Sequence, residues 1–368
     1  MQVGFTHTGA AKSVGDGQQS REKMQKKSFG LKFSQLLVGA LYVSAFIMPT
    51  SARAHVKWFA PYNVAQAPVG LSGVFDPTFI ALLVLTLVVL WLLCVIERTA
   101  VGDALLASVE EVFVLVRDRI DMILRAGTGA FFVAIWAHGG IILTPELLTT
   151  SAATEWLQLA IAMGLLFRTT MLFSAFGIVI LFAQGIWSYG LFHMMDYPIF
   201  LGAAVYMAMS GLGWPLLLGL RRLDIVRIGA AVTLLWASIE KWAYPEWTYP
   251  VLYAHQRLSL GLDPRFYMTA AGMVEFGLAF SLLWTPLVRR MAAVVLLSMF
   301  VSAVFEFGKI DAIGHAVIVV ILLAIAADDG VSPSRSPVLA PIWLSVALAV
   351  TFFLYYGGHA LIFGTGIV

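Results

Sequence analysis

Long apolar segments recur along almost the whole chain after residue 70, and they limit the fold more than any other feature. A helix that crosses a bilayer needs about 20 mostly apolar residues. The sequence contains about ten such segments, at 75–96, 122–143, 155–167, 170–190, 198–220, 225–243, 267–284, 290–306, 312–327 and 339–362. Because backbone polar groups in lipid must be satisfied internally, we expect these segments to be helical. The predicted fold is an all-α, polytopic membrane helix bundle of about ten spans.

Composition agrees with a chain that lies mostly in lipid. Hydrophobic residues make up 60% of the 368 residues and charged residues only 12%, about half of the roughly 25% that is usual in soluble domains. This excludes a disordered chain, a nucleic-acid partner and an ordinary soluble enzyme. The single cysteine, Cys94, excludes an internal disulfide and a cysteine-ligated zinc or iron–sulfur centre. No haem or flavin motif is present. The high hydrophobic content makes the lipid bilayer the first predicted partner.

The N-terminal 54 residues have the pattern of a cleavable signal peptide. A basic run, 21–27, precedes an apolar stretch at 31–48, and Ala52-Arg53-Ala54 follows. This order is typical of a secretory signal, with cleavage before His55. Seven of the 23 basic residues but only two of the 21 acidic ones lie in 1–54. Cleavage would therefore change the net charge from +2 to −3. The excess of basic over acidic residues in the full sequence thus indicates no affinity for nucleic acid.

Charge distribution predicts the orientation. If His55 begins the mature chain outside, eleven arginines fall on inside segments and five Lys or Arg residues on outside ones, as the positive-inside rule requires. We therefore expect a multi-pass protein of the bacterial inner membrane with its mature N-terminus in the periplasm. Residues 55–121 would form an outer segment, the first span and an amphipathic inner helix near 97–121.

An internal repeat divides the rest of the chain. Two similar five-residue stretches, 102 residues apart, each begin an apolar segment: Ile123-Leu124-Arg125-Ala126-Gly127 and Ile225-Val226-Arg227-Ile228-Gly229. Each of these segments ends near a Pro-Glu pair. Three further segments follow each start. We predict a first four-helix unit at 122–220, a second at 221–330, and a linker with a last span at 331–368.

The second unit resembles the DoxX/DoxD-like membrane protein family over residues of about 225–327. The resemblance rests on the Arg227-x-Gly229 start, the helix end Ser238-Ile239-Glu240-Lys241-Trp242 before Pro245, the stretch 272–277 with Gly272, Glu275 and Gly277, and Arg289-Arg290 at the start of a third helix. A weaker second copy covers about 122–220. The resemblance implies a four-helix bundle associated with redox systems, in which some relatives are linked to quinone reduction with thiosulfate as donor.

Ionisable residues in the outer half of the predicted spans mark a candidate site, because such residues are costly in lipid. Glu275 lies well inside the seventh span. Asp311 and His315 are four residues apart, so they share one helical face. Glu240 and Lys241 are adjacent and point about 100° apart, so they need different partners. We predict that these five residues carry proton transfer and hydrogen bonding.

Four histidines are the candidate cofactor and metal ligands. His138 and His359 adjoin paired glycines, which permit close backbone approach, and are predicted to bind a cofactor. His193 is followed by Met194, Met195 and Asp196, a ligand set that suits copper. His55 would offer an α-amine and an imidazole, with Lys57, Trp58 and Tyr62 following it.

Three functions fit these residues. The first is a redox-linked, quinone-associated DoxX-like subunit with a periplasmic or membrane redox partner. The second is a copper-binding or copper-handling protein that uses His55. The third is a transporter of a small solute, built from two repeats. The sequence leaves open whether the protein is an enzyme.

Overall fold

The computed structural model describes residues 56–254, 259, 261–330 and 335–365, and the predicted signal peptide and its cleavage site lie outside them. The described chain is an all-α bundle with one small hairpin, β1 (Leu216–Leu217) and β2 (Leu220–Arg221). Its helices are α1 (Leu71–Val74), α2 (Pro77–Ile96), α3 (Ala100–Arg117), α4 (Ile120–His138), α5 (Ala152–Gly164), α6 (Met171–Tyr189), α7 (Leu191–Met194), α8 (Pro198–Leu212), α9 (Arg222–Ala243), α10 (Tyr249–Ala254), α11 (Pro264–Ser281), α12 (Pro286–Phe307), α13 (Lys309–Ala327) and α14 (Leu339–Phe363).

Within the described residues, six stretches are long and apolar enough to cross a membrane: Pro77–Ile96, Ile120–His138, Arg168–Tyr189, Pro286–Phe307, Lys309–Ala327 and Leu339–Phe363. They support a multi-pass membrane protein. All ten predicted segments contain a helix, but α5 and α8 have 13 and 15 residues, and α9 and α11 carry charged residues. The prediction of ten spans is thus supported for six, and the helix predicted within 97–121 is α3.

Two helices begin with the same N-terminal capping arrangement. Asp76 and Asp263 accept hydrogen bonds from the backbone amides of Phe79 and Phe266, three residues on. In each case a proline occupies the first helical position, where its missing N–H leaves no hydrogen bond unmade. These caps fix the starts of α2 and α11, which pack against each other.

Eight helices pack in cyclic order. In the sequence α4, α5, α6, α8, α9, α11, α12, α13, each helix contacts the next, and α13 closes the ring by packing on α4. The α8–α9 contact is close because glycines face each other: a Cβ on Gly229 would lie 3.2 Å from the Cα of Gly202. Helices α2 and α14 pack against each other beside this ring.

Polar residues are concentrated at the two ends of the bundle. On α9, Arg227 and Lys241 are 14 residues apart, which corresponds to about 21 Å along a helix. On α13, Asp311 lies in the first turn and Asp328 caps the last. We call these two regions the Lys57 end, which contains Lys241 and Asp311, and the Asp328 end, which contains Arg227.

Candidate functional site

The segment 56–69 closes the Lys57 end of the bundle. The amide of Val69 donates to the carbonyl of Ala243 at 2.9 Å, and the hydroxyl of Tyr244 donates to the carbonyl of Gln66 at 3.0 Å. The hydroxyl of Tyr356 donates to the carbonyl of Val69 at 2.8 Å. Because these contacts come from α9, the turn after it and α14, the segment is anchored on several parts of the bundle.

Lys57 is the centre of the cluster that this segment brings into the bundle. Its ammonium donates to Asp196 Oδ2 and to Glu240 Oε1, each at 2.5 Å. The side chains of Lys57 and Asp196 are almost completely buried. Asp196 lies between α7 and α8, and Glu240 lies near the end of α9. One lysine therefore joins carboxylates from the two predicted four-helix units.

Aromatic rings complete the surroundings of the ammonium. The Nζ atom of Lys57 lies 5.6 Å from the ring centre of Tyr62 and 5.7 Å from that of Trp247, within the range of cation–π attraction. Trp247 in turn stacks on Tyr244 at 4.1 Å. Two carboxylates and two aromatic rings thus surround this ammonium, which is an arrangement that stabilises a positive charge away from water.

Glu146 adds a further buried carboxylate near Lys57. Both of its oxygens are buried and have no hydrogen-bond partner in the described part of the chain. Burial raises the pKa of Glu146 to about 8, although the charge of Lys57 opposes the shift. For Lys57, burial lowers the pKa, but Asp196 and Glu240 outweigh it and raise the pKa above its ordinary value. The cluster has more carboxylates than cations, and burial favours the protonated form of Glu146.

Glu146→Gln is expected to remove a pH dependence of stability. Because the pKa of Glu146 is raised from 4.5 to about 8 on folding, the folded protein binds more protons in this window, so stability falls as pH rises through it. The largest slope is about 1.4 kcal/mol per pH unit. Thermal unfolding of both proteins between pH 5 and 9 measures this effect.

The variant should be more stable than the wild type at pH 9, and the difference should shrink towards pH 5. Glu155→Gln is the control, since it makes the same chemical change in a carboxylate at the start of α5. Parallel pH profiles of the wild type and Glu146→Gln would contradict the prediction.

Lys241 and Glu275 form a second buried pair at the same end. Lys241 Nζ lies 2.8 Å from Glu275 Oε2, and both side chains are less than a tenth exposed. The other carboxylate oxygen, Oε1, has no hydrogen-bond partner within the described residues. The prediction that Glu240 and Lys241 require different partners is confirmed, because Glu240 binds Lys57 and Lys241 binds Glu275.

An open cleft of about 290 Å³ reaches Lys241 of this pair. Its size is close to the lower end of the roughly 300–1,000 Å³ typical of small-molecule sites. The lining combines apolar side chains, two aromatic rings and charged groups: Val69, Gly73, Val74, Asp76, Lys241, Trp242, Pro245, Glu246, Tyr249, Arg265 and Thr269. The cleft can therefore contact a flat ligand and donate hydrogen bonds to it.

The ring of Trp242 is fixed in one wall of the cleft. Its indole N–H donates to the carbonyl of Thr269 at 3.1 Å. A Cβ on Gly272 would lie 2.5 Å from the indole nitrogen, so glycine at this position lets Trp242 pack on α11. At the rim, Arg265 pairs with Asp76 at 3.2 Å. The N-cap residue of α2 thus also orients a cation of the cleft.

Asp311 and His315 interact as predicted from their spacing. His315 Nδ1 lies 3.0 Å from Asp311 Oδ2, and both side chains are buried. The ring of Trp58 lies 4.6 Å from that of His315, because Gly314 leaves room for the indole. A cavity of about 20 Å³ beside His315 and Trp58 has room for about one water molecule.

The three predicted histidine ligands that the structure describes, His138, His193 and His359, do not form a metal-binding group. His138 is exposed at the end of α4, with Nδ1 3.0 Å from the carbonyl of Gly139. His359 is buried, and its two ring nitrogens lie 2.9 Å from the carbonyl of Val64 and 2.7 Å from the hydroxyl of Thr365. It anchors the segment 56–69. The cofactor-binding roles of His138 and His359 stay predictions, and His55 lies outside the described residues.

His193 lies among tyrosines next to the Lys57 cluster. Its ring is 5.6 Å from those of Tyr62 and Tyr189 and 6.2 Å from that of Tyr197. Burial and the charge of Lys57 lower the pKa of His193 to about 3, so its imidazole is neutral. Within the residues that the structure covers, no group of three or more His, Cys, Asp or Glu side chains could hold a metal ion. The copper role of His193 stays a prediction.

The opposite end of the bundle is held by Asp328. Its carboxylate lies 3.0 Å from Arg221 and 3.3 Å from Arg289, and its backbone carbonyl accepts from Arg290 Nε at 2.7 Å. Arg289 is completely buried. Asp328 therefore joins the starts of α9 and α12 to the end of α13.

The sequence identified Glu240, Lys241, Glu275, Asp311 and His315 but missed the role of Lys57 and its buried partner Asp196. These two residues are 139 positions apart, and no periodicity connects them. The one available signal was that both lie beside apolar segments on the predicted outer side.

Comparisons with family models, with curated proteins and with solved structures find no match to this chain.

Proposed function

We propose that this chain is a redox-linked, quinone-associated membrane subunit of the DoxX-like type, which binds a quinone headgroup in the cleft at the Lys57 end. The observation that carries the proposal is the cleft of about 290 Å³, whose lining includes Lys241, the partner of the buried Glu275. A quinone headgroup is flat, apolar on its faces and a hydrogen-bond acceptor at two opposite oxygens. The cleft offers the corresponding aromatic wall and cationic donors.

Two donors fit the two oxygens of a headgroup. Lys241 supplies an ammonium from the end of α9, and Arg265 supplies a guanidinium from the start of α11. Trp242 and Tyr249 contribute ring faces. In this arrangement Lys241 donates a hydrogen bond to one quinone oxygen and stabilises the negative charge that develops there on reduction.

Reduction of a quinone to a quinol takes up two electrons and two protons, and the buried groups next to the cleft can supply the protons. Glu275 holds the Lys241 ammonium in place, and the Asp311–His315 pair lies at the same end of the bundle. The electrons would come from a periplasmic or membrane redox partner. Lys241 and Glu275 are the proposed catalytic pair, and Asp311 and His315 the proposed positioning pair.

Lys241→Gln is expected to weaken quinone binding about tenfold or more, because a hydrogen bond to a charged group contributes roughly 1.5–3 kcal/mol. Quenching of tryptophan fluorescence by a short-chain ubiquinone, added to the purified protein in detergent, measures the binding. Trp242 lies in the cleft wall and serves as the intrinsic probe.

Lys309→Gln is the matched control, since Lys309 is an exposed lysine of the same end that does not line the cleft. It should leave the dissociation constant unchanged. Glu275→Gln should bind the quinone but lower the rate of its reduction by the partner. A wild-type protein that shows no saturable quenching, or a Lys241→Gln variant with unchanged affinity, would refute the proposal.

We also propose that 122–220 and 221–330 are two copies of one four-helix unit. The cyclic packing supports this, because the last helix of each unit packs on the first helix of the other. In both units the third helix ends at a glycine with positive φ, Gly190 at 85° and Gly308 at 71°.

Transport of a small solute is a second candidate function, favoured by the position of Lys57 between these units. Asp196 comes from the first unit and Glu240 from the second, and transporters with internal repeats bind their substrates at such an interface. Uptake of solute by vesicles that contain only this protein would favour transport over the redox function.

A further inference from the structure

The surroundings of the Lys57 ammonium have the composition of a receptor site for an amine. Two carboxylates, Asp196 and Glu240, accept its hydrogen bonds, and the rings of Tyr62 and Trp247 lie 5.6 and 5.7 Å from Nζ. Carboxylates combined with aromatic faces are the usual means of binding an ammonium ion in a desolvated site. Most of this site belongs to the helix bundle, whereas the ammonium comes from the segment 56–69.

The site also has acceptor capacity that Lys57 does not use. Asp196 Oδ1, both oxygens of Glu146 and His193 Nε2 are buried and have no hydrogen-bond partner among the residues that the structure describes. An ammonium group has three N–H donors, and Lys57 donates to two acceptor groups, Asp196 and Glu240. A site built only to hold one lysine would not require additional buried acceptors, since each costs free energy.

The segment 56–69, which carries Lys57 and which we call the strap, is not one of the eight helices of the ring. Apart from a short turn at Val56–Trp58, the described part of 56–69 has no regular helix or strand. It is held by separate hydrogen bonds to Ala243, Tyr244, Tyr356 and His359. These contacts are separate from the helix-to-helix contacts that form the eight-helix ring.

We propose that Asp196, Glu240 and Trp247 form a binding site for primary alkylammonium ions, which Lys57 occupies as a tethered internal ligand, so that the segment 56–69 acts as a lid over it. An external amine would bind in place of the Lys57 ammonium when the lid is withdrawn. This site is separate from the cleft that contains Lys241, and the inference does not depend on quinone binding.

Chemical rescue tests the site directly. Lys57→Ala removes Cγ, Cδ, Cε and Nζ, which together correspond to propylammonium. We expect propylammonium at millimolar concentration to restore, in a saturable manner, more than half of the Tm that Lys57→Ala loses in the full-length protein in detergent. Equal concentrations of 1-propanol and sodium chloride should have no such effect, because neither supplies an alkylammonium.

A matched triple variant separates binding from general stabilisation. In Lys57→Ala/Asp196→Asn/Glu240→Gln the cavity is kept while both carboxylates become neutral, so propylammonium should no longer raise the Tm. If the triple variant responds as strongly as Lys57→Ala, or if propanol and propylammonium act alike, the ammonium site is refuted. Should Lys57→Ala fold poorly, its yield from membranes with and without propylammonium in the buffer is the readout, and an unchanged yield counts against the site.

The lid is tested in the wild type. If an external amine displaces Lys57, propylammonium should increase the acetylation of Lys57 relative to that of Lys309 by a water-soluble acetylating reagent, as measured by mass spectrometry of the digested protein. The exposed Lys309 is the internal reference, because propylammonium also consumes the reagent and this slows the reaction of both lysines alike. A ratio of Lys57 to Lys309 acetylation that does not depend on propylammonium would show that Lys57 is a fixed structural group and would overturn the lid.

Discussion

Lys57→Met should destabilise the protein by about 3–5 kcal/mol, the usual cost of removing one partner from a buried ion pair. The substitution keeps much of the side-chain volume but removes the ammonium, which leaves Asp196 and Glu240 in the interior without a cation. Asp196 is completely buried, and the side chain of Glu240 is 12% exposed. SDS-induced unfolding in detergent micelles, followed by circular dichroism, measures the loss.

The cause of this loss can be separated from packing by neutralising the acceptors. Lys57→Met/Asp196→Asn/Glu240→Gln should recover a large part of the stability, because no unpaired charge is left buried. Lys309→Met, at an exposed lysine of the same end, should change the stability by no more than about 0.5 kcal/mol. If Lys57→Met unfolds at the wild-type SDS concentration, the Lys57 cluster does not hold the bundle end together.

Asp328→Asn should cost a similar amount, about 3–5 kcal/mol, at the opposite end of the bundle. Its carboxylate lies within 3.3 Å of the guanidinium groups of Arg221 and Arg289, and Arg289 is completely buried. Loss of the negative charge leaves several arginines close together, while Asp224 stays paired with Arg221 and Arg227. The same unfolding assay measures the effect.

The neighbouring residue provides a control with the identical chemical change. The side chain of Asp329 is 60% exposed and lies 3.7 Å from Arg117, and exposed pairs contribute roughly 0–1 kcal/mol. Asp329→Asn should therefore be nearly neutral. High salt should also leave the cost of Asp328→Asn almost unchanged, since buried pairs are poorly screened. Equal effects of the two substitutions would contradict the structural role of Asp328.

Helix positions were largely predictable because they depend on local properties. Apolar runs of the length needed to span lipid give helices in all ten predicted places, and Asp-Pro pairs at 76–77 and 263–264 mark two helix starts. The spacing of Asp311 and His315 likewise sets their contact, because residues four apart share a helical face. These features need no information from distant parts of the chain.

Part of the site was also predictable, for the same reason. Glu275 is an ionisable residue within an apolar helix, so it needed a partner, and the adjacent residues Glu240 and Lys241 could not share one. The structure supplies Lys241 for Glu275 and Lys57 for Glu240. Which partner each residue takes depends on helix packing, and the sequence contains no period or spacing that specifies it.

The sequence by itself determined an all-α membrane bundle, the approximate helix limits, and the concentration of lysine and histidine at one end of the described chain. It determined these because hydropathy, helix capping and helical periodicity act over a few turns of chain. The tertiary structure alone decided that Lys57 pairs with Asp196 and Glu240 inside the bundle. It also decided that Lys241 lines an open cleft and that Asp328 pairs with Arg221 and Arg289. Each of these contacts joins residues from different helices or from the strap, and only the packing of the ring brings them within hydrogen-bond distance.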